Sequence, residues 1–404
     1  MKKLFVLALC LASIGTIGAQ KKVVDQANKL AGKTEKLAEA RSLINQAMQD
    51  PETANQARTY YVAGLIEWKA YDNERLLKDL NKGTVSDNEM AQQLLDGYNY
   101  FMKALELDKI PDEKGKVDKF ANDINSQLAG HERDFWGAGA TYFNDGKYYP
   151  EAYNGFYLSA DIPSMPGMEK YAAQMLPDST RAQSYFNAGR AAFYGNEVKK
   201  ANEAFKKATD MGLNDPNGYV FQIACWENLA NNDSTLQQEA TDNILALSKA
   251  GYEKYGTNPP IFLSQIVDKL ASNGKAQEAL DIVNGKINTQ PSALLYRLRG
   301  WVYGRMNNEE GLVNDYLKAA SLDDADADIL FNSANVLYRY VANKNGAIAG
   351  NTAEDRATKQ NLKDNYLTPA LDFAQKAKQM NDDANLAKRI NNLIEDIEYL
   401  MPKL

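Results

Sequence analysis

Cysteine, histidine and long apolar runs are all scarce in this chain of 404 residues, and each scarcity removes a class of function. The two cysteines are Cys10 and Cys225. Cys10 lies in an N-terminal stretch expected to be removed, which leaves one thiol and no internal disulfide; a chain this long can rely on packing instead. Cys225 reads as a small helix-face residue rather than a nucleophile. His131 is the only histidine, which excludes multi-histidine metal sites and all but one chance Ser-His or Cys-His pair. Its context Gly-His-Glu-Arg lacks the second histidine four residues on that a helical zinc motif needs, and it reads as a first-turn or loop residue. No phosphate-cradling glycine loop, nucleophile elbow or paired-cysteine motif follows the N-terminal stretch. The run Leu322-Asp323-Asp324-Ala325-Asp326-Ala327-Asp328 lacks the central glycine and distal glutamate of a calcium loop, and it lies where a helix needs an N-cap. No carboxylate pair rises above the background of 53 acidic residues. No catalytic, metal or cofactor residue is assigned, and the chain is expected not to be an enzyme.

The one long apolar run is N-terminal. Met1 to Gln20 opens with Lys2 and Lys3, continues through Leu4 to Ala12 and reaches Gly15-Thr16-Ile17-Gly18-Ala19, the three-part layout of a secretory signal. A cut after Ala19 leaves Gln20 as the mature N-terminus. The run is shorter than the roughly 20 residues of a spanning helix. Leu9, not a small residue, precedes Cys10, which argues against a lipid anchor there. Every later apolar cluster is interrupted by charge, so no transmembrane segment is expected once the signal is gone. Removing Lys2 and Lys3 from the 46 basic residues leaves 44 against 53 acidic ones, a formal charge of −9. Such a surface favours solubility and disfavours nucleic acid as a partner.

What remains reads as helix, because apolar residues recur at three- and four-residue spacing and no stretch alternates as a half-buried strand does. The helices repeat. Around Tyr185 to Leu213, a bulky residue is followed four later by Gly189, then by Gly195, Ala201, Phe205 and Ala208. Small residues at Gly189, Ala201 and Ala208 suit a close approach of two antiparallel helices, with Phe205 filling the space beside them. Registering other segments on that small residue gives Gly64, Gly139, Gly189, Ala224, Val267, Gly300 and Ala334, at steps of 75, 50, 35, 43, 33 and 34 residues. Phe135, Gly139, Tyr142, Gly146, Ala152, Phe156 and Pro163 follow the pattern with a one-residue shift in the second helix. Gly274, Ala279 and Pro291 mark another repeat, and Tyr296, Gly300, Tyr303, Tyr316 and Ala319 a further one. A seventh unit has Leu330, Ala334 and Leu337, an interruption, and then Pro369 with Ala370, Ala374 and Ala377. Ala40, Ile44, Ala47 and Pro51 have the spacing of one more second helix.

This pattern resembles the tetratricopeptide repeat (TPR) over roughly residues 35 to 380. The resemblance implies an all-α fold, a right-handed superhelical solenoid of antiparallel helix pairs. The expected layout is a signal at 1–19, N-terminal helices at 20–52, about seven repeats over 53–380, and a final helix at 381–404. Three insertions, near 71–89, 163–179 and 342–361, carry the proline and glycine of helix breaks and read as connections, either variable padding or partner-contacting loops. In the last helix Leu386, Ile390, Leu393, Ile397 and Leu400 form one apolar stripe, which suits a cap on the final repeat or a seam for a second chain.

The resemblance also implies a groove lined by the first helix of each repeat. Carried over repeat by repeat, its positions are Arg58, Tyr61, Trp68 and Lys69; Arg133, Trp136, Phe143 and Asn144; Gln183, Phe186, Arg190 and Phe193; Phe221 and Asn228; Arg297, Trp301 and Arg305; and Phe331, Asn335, Tyr338 and Arg339. That set is basic and aromatic although the chain is acidic, unless these aromatics stack between helices instead. The lysine and asparagine clamp of the chaperone-binding members is absent, since Asn335 follows Phe331 in place of lysine. The expected function is a non-catalytic scaffold gripping a partner protein or extended peptide, in the periplasm or at the periplasmic face of the outer membrane. The signal with Gln20 beside its cut is similar to those of Bacteroidetes-type bacteria. An accessory subunit of an envelope assembly, transport or secretion machine, or a glycan-binding module, stand as alternatives.

Overall fold

The computed structural model describes residues 19–112, 114–348, 350 and 352–404. The signal-like stretch through residue 18, with Cys10, lies outside them. The described residues form eighteen α-helices and no strand, in two compact units divided after Leu229. Unit 1 holds α1 (Ala19–Ala31), α2 (Leu37–Gln49), α3 (Ala57–Asp79), α4 (Asp87–Leu107), α5 (Ala121–Asp145), α6 (Tyr149–Asp161), α7 (Asp178–Tyr194), α8 (Val198–Asp210) and most of α9 (Asn217–Asn232). Unit 2 holds α10 (Gln237–Tyr255), α11 (Ile261–Ser272), α12 (Ala276–Thr289), α13 (Ala293–Arg305), α14 (Glu309–Ala320), α15 (Ala327–Ala347), α16 (Ala353–Leu362), α17 (Thr368–Met380) and α18 (Ala384–Leu400).

Within each unit consecutive helices pack as pairs, α1 on α2, α3 on α4, α5 on α6 and α7 on α8 in the first, α13 on α14 in the second. The short connections make each pair antiparallel. The small residue of the repeat pattern sets the closest point. A Cβ at Gly189 would lie 2.5 Å from the Phe205 ring, one at Gly139 2.8 Å from Phe156, and one at Gly300 2.8 Å from Tyr316. The aromatic of the second helix therefore rests on bare backbone of the first. In the fourth unit the register differs from the sequence reading by one position: Cys225 is fully buried and Ala224 is not. Burial pushes its thiol up to about 12, far from the thiolate a nucleophile needs.

Helix starts follow local chemistry. Asp326 accepts from the Ile329 N–H at 2.8 Å and caps α15, and Asp324 accepts from the Ala293 N–H at 3.1 Å at the start of α13. The acidic run is thus used in capping, where carboxylates also complement the helix dipole. Pro369 sits in the first turn of α17, and α17 packs on α15 across the interruption. Ala40, Ile44 and Ala47 are buried on α2, as are Ile390, Leu393 and Ile397 on α18 against α15 and α17.

Two of the three insertions contain more helix than their sequence implies. Tyr71 to Asp79 continues α3 and α4 begins at Asp87, so the connection is 80–86. Likewise α15 runs to Ala347 and α16 starts at Ala353 with a capping box between Thr352 and Asp355. Only 163–177 lacks α-helix, and even there Met168 and Met175 are buried in the core of unit 1. Burial does not explain these stretches, since only Tyr71 of 71–79 and only Leu362 of α16 are buried; helix-favouring side chains and, at α16, the capping box do.

Candidate partner-binding surface

The proposed groove residues divide by burial. Trp68 is 1% exposed; its indole N–H donates to the Leu94 carbonyl at 2.9 Å, and its ring meets Phe101 edge-on at 4.8 Å. A Cβ at Gly97 would strike that ring at 2.1 Å. Trp68 is therefore a core residue, because Gly97 on α4 opens a slot that only a flat side chain fills. Phe186, 5% exposed, packs 5.6 Å from Phe205, and Phe331, also 5% exposed, lies under the Arg389 guanidinium at 4.7 Å. These three are corrections to the groove reading. Tyr61 stacks on Phe120 at 4.6 Å and donates to Asp123, Arg58 pairs with Asp25 at 2.6 Å, and Asn228 is half-buried. Lys69, Asn144 and Gln183 are exposed without converging on a cluster.

A second set does converge, on α5, α6 and α7 of unit 1. Trp136 is 43% exposed, and its ring lies 5.9 Å from Phe156. Phe156 lies 6.2 Å from Phe143, and Phe143 reaches Tyr149 at 5.9 Å and Tyr194 at 6.0 Å. The Arg190 guanidinium sits 5.1 Å over the Phe143 ring, a cation–π arrangement. From Tyr194 the rings continue through Phe193 at 6.2 Å and Phe221 at 5.5 Å to Phe205 at 5.0 Å. Beside Trp136, Arg133 is exposed and donates to the Gln174 carbonyl at 3.3 Å. Tyr149 and Tyr194 are missing from the sequence reading. Tyr194 follows Phe193 and stands at a groove position of the same register, whereas Tyr149 lies on a second helix and only packing places it here.

In unit 2, Arg297, Trp301 and Arg305 fall at four-residue spacing along one stripe of α13. Trp301 is 39% exposed and the Arg305 guanidinium lies 5.9 Å over its ring. On α15, Arg339 is exposed, Asn335 and Tyr338 half-buried, and burial raises the Tyr338 hydroxyl above its ordinary value. Among the described residues Arg190, Arg297, Arg305 and Arg339 pair with no carboxylate, in contrast to Arg41, Arg75, Arg181 and Arg299. Arg299, one position from the stripe's far side, turns inward to a bidentate contact with Asp315 at 2.7 and 2.8 Å.

His131 is placed differently from its sequence reading as a first-turn or loop residue. It lies midway along α5, buried, with its ring 4.3 Å from Trp68. Nδ1 lies 2.9 Å from the Gln127 carbonyl and Nε2 3.2 Å from Asp72 on α3. Burial acts to raise the Asp72 carboxyl, but the hydrogen bond to His131 and the charges of His131, Arg75 and Lys69 outweigh it, leaving it below its usual value. The cluster bolts α3 to α5.

No protein-family model matches the chain, and no curated protein is similar to it in sequence. Among solved structures, a TPR repeats protein of Bacteroides fragilis is 15% identical over 67% of this chain and 98% of its own, with a TM-score of 0.29. Human IFIT1, solved as a dimer with PPP-AAAA, is 15% identical over 95% of this chain and 90% of its own, at 0.36. The TPR domain of P58(IPK) is 13% identical over 95% and 98%, at 0.27. The architecture rests on the chain's own geometry, glycine of one helix against aromatic of the next; on that ground each unit is built of antiparallel α-helix pairs, the repeat that the tetratricopeptide resemblance implies.

Proposed function

We propose that this chain is a non-catalytic interaction scaffold of the bacterial envelope, exported to the periplasm or the periplasmic face of the outer membrane, that holds a partner protein through an extended segment. The observation that carries the reading is the run of exposed Trp136 and Tyr194 with half-buried Phe143 and Arg190 between them. Tryptophan, tyrosine and arginine are the residues enriched at interface hot spots, because they bring large contact area with few rotatable bonds and directional donors. The Arg297, Trp301 and Arg305 stripe offers the same chemistry in unit 2. Engagement through α18 is less favoured, since the apolar stripe of α18 is used against α15 and α17.

The envelope location rests on the N-terminal sequence. Fractionation with N-terminal sequencing tests it, the expected mature terminus being Gln20. Binding is tested by a photo-crosslinking residue at position 136 or 301 in the full chain, with position 206 on α8 as control. A protein adduct at 136 or 301, absent at 206, is expected, and the adduct at 136 should be lost in an Arg190→Ala background. Equal adducts at all three positions would refute the surface.

A further inference from the structure

The connection from α6 to α7 is pinned along its length to the first half of α5. Met168 is fully buried and Met175 6% exposed. Asn125 Nδ2 donates to the Pro166 carbonyl at 3.1 Å, Lys170 Nζ to Asn122 at 3.0 Å, and Arg133 to the Gln174 carbonyl at 3.3 Å. Gly167, at φ 82°, lets the backbone close on Asn125, whose Nδ2 would lie 2.5 Å from a Cβ there.

Beneath this segment is Glu132, 1% exposed. Its Oε1 accepts from the Leu176 N–H at 3.3 Å, while among the described residues no group donates to its buried Oε2. The charged groups acting on it are Arg133 on its own helix and Arg181 on α7. Neither bonds to it: Arg133 is turned to Gln174, and Arg181 donates to the Ala160 carbonyl at 2.9 Å, to Asp178 at 2.8 Å and to Ser164 Oγ. The segment offers Glu132 a backbone N–H only; of its charged residues, Lys170 is turned to Asn122 and Glu169 does not bond to Glu132. An ionised carboxylate with one oxygen unmatched is expensive in such a place, and the neutral acid is far less so.

We propose that residues 163–177 form a pH-sensitive strap, held on α5 while Glu132 is protonated and loosened when it ionises. Opening admits water to the carboxylate and withdraws the Gln174 carbonyl from Arg133. Burial pushes the Glu132 carboxyl up to about 6 from the ordinary 4.5, against the Leu176 N–H and the two arginines. With the closed-state value raised, the contribution to closure is complete below about pH 4.5 and is lost as pH rises through about 6. Because Arg133 adjoins Trp136, partner binding should strengthen over the same interval; that consequence rests on the proposed function, whereas the strap does not.

Hydrogen exchange on the full chain tests the strap. The amides of Met168, Tyr171 and Met175 are all hydrogen-bonded within it. Corrected for intrinsic rates, their protection is expected to fall about fifteen-fold between pH 4.5 and 8, about half of the full ratio set by a shift of about 1.5 pH units. Glu132→Gln should hold that protection level across the range. Unchanged strap protection in the wild-type chain, or the same pH response in Glu132→Gln, would overturn the proposal. Should that variant not fold, NMR titration of the wild-type Glu132 carboxyl decides: a midpoint near 6 that tracks the exchange supports the strap, and one near 4.5 refutes it. Loss of pH dependence in partner binding alone would count against the proposed surface and leave the strap standing.

Discussion

Trp68 and Trp136 show how residues of one type divide. Both occupy groove positions in the repeat register, yet Trp68 fills the slot beside Gly97 while Trp136 is 43% exposed. Trp68→Ala should cost about 3–5 kcal/mol, the usual range for emptying a buried tryptophan site, and it also removes the indole N–H donated to the Leu94 carbonyl. Urea unfolding monitored by circular dichroism checks it; a loss below about 1 kcal/mol would contradict the burial. Trp136→Ala should change stability by about 0.5 kcal/mol or less and act on partner binding instead. Cys225, with its thiol raised to about 12 by burial, should resist alkylation at pH 8 in the folded chain and react promptly in urea. Asp72 gives a pH prediction of opposite sign to Glu132. Its folded value lies below the ordinary 3.8, so its contribution is present above that pH and is lost as pH falls through the lower folded value. Acid unfolding of Asp72→Asn should show a shallower fall over that range than the wild-type chain.

At the scale of elements, helix boundaries were legible where a cap or an in-phase proline marks them, as at Asp326 and Pro369, because those signals act within one turn. They were obscure at Tyr71 to Asp79 and at Ala353 to Leu362, where polar residues with glycine in the adjoining connection mimic a loop and only the pairing of α3 with α4, or the capping box of α16, decides. The terminal stripe is the converse case. Its spacing identified an amphipathic helix, but whether α18 covers its own solenoid or another chain depends on what lies beside it. Since Ile390, Leu393 and Ile397 are buried on α15 and α17, removing residues 381–404 should expose that face. The truncated chain is expected to lose protection in α15 and α17 under hydrogen exchange and to self-associate in sedimentation. An unimpaired monomer with native protection there would contradict a capping role. Asp383→Ala, which removes the side chain that accepts from the Leu386 N–H at 2.7 Å, should cost about 0.5–2 kcal/mol by loss of the cap.

For the whole molecule, a repeat array passes stability from neighbour to neighbour. Gly189→Ala would force a Cβ to within 2.5 Å of the Phe205 ring, and overpacking of that kind costs about 1–3 kcal/mol. Its loss of exchange protection should be largest in α7 and α8 and fade along the chain. By itself the sequence determined the helical class, the pairing of helices and the residues at their closest points, because those depend on periodicity and on side-chain size at fixed offsets. Only tertiary structure decided which tryptophans face solvent, where Tyr149 joins Phe143 and Arg190, that His131 bolts α3 to α5, and that Glu132 lies buried beneath a strap. Those features depend on contacts between residues tens of positions apart, and no local pattern records which of two similar faces a neighbouring helix will cover.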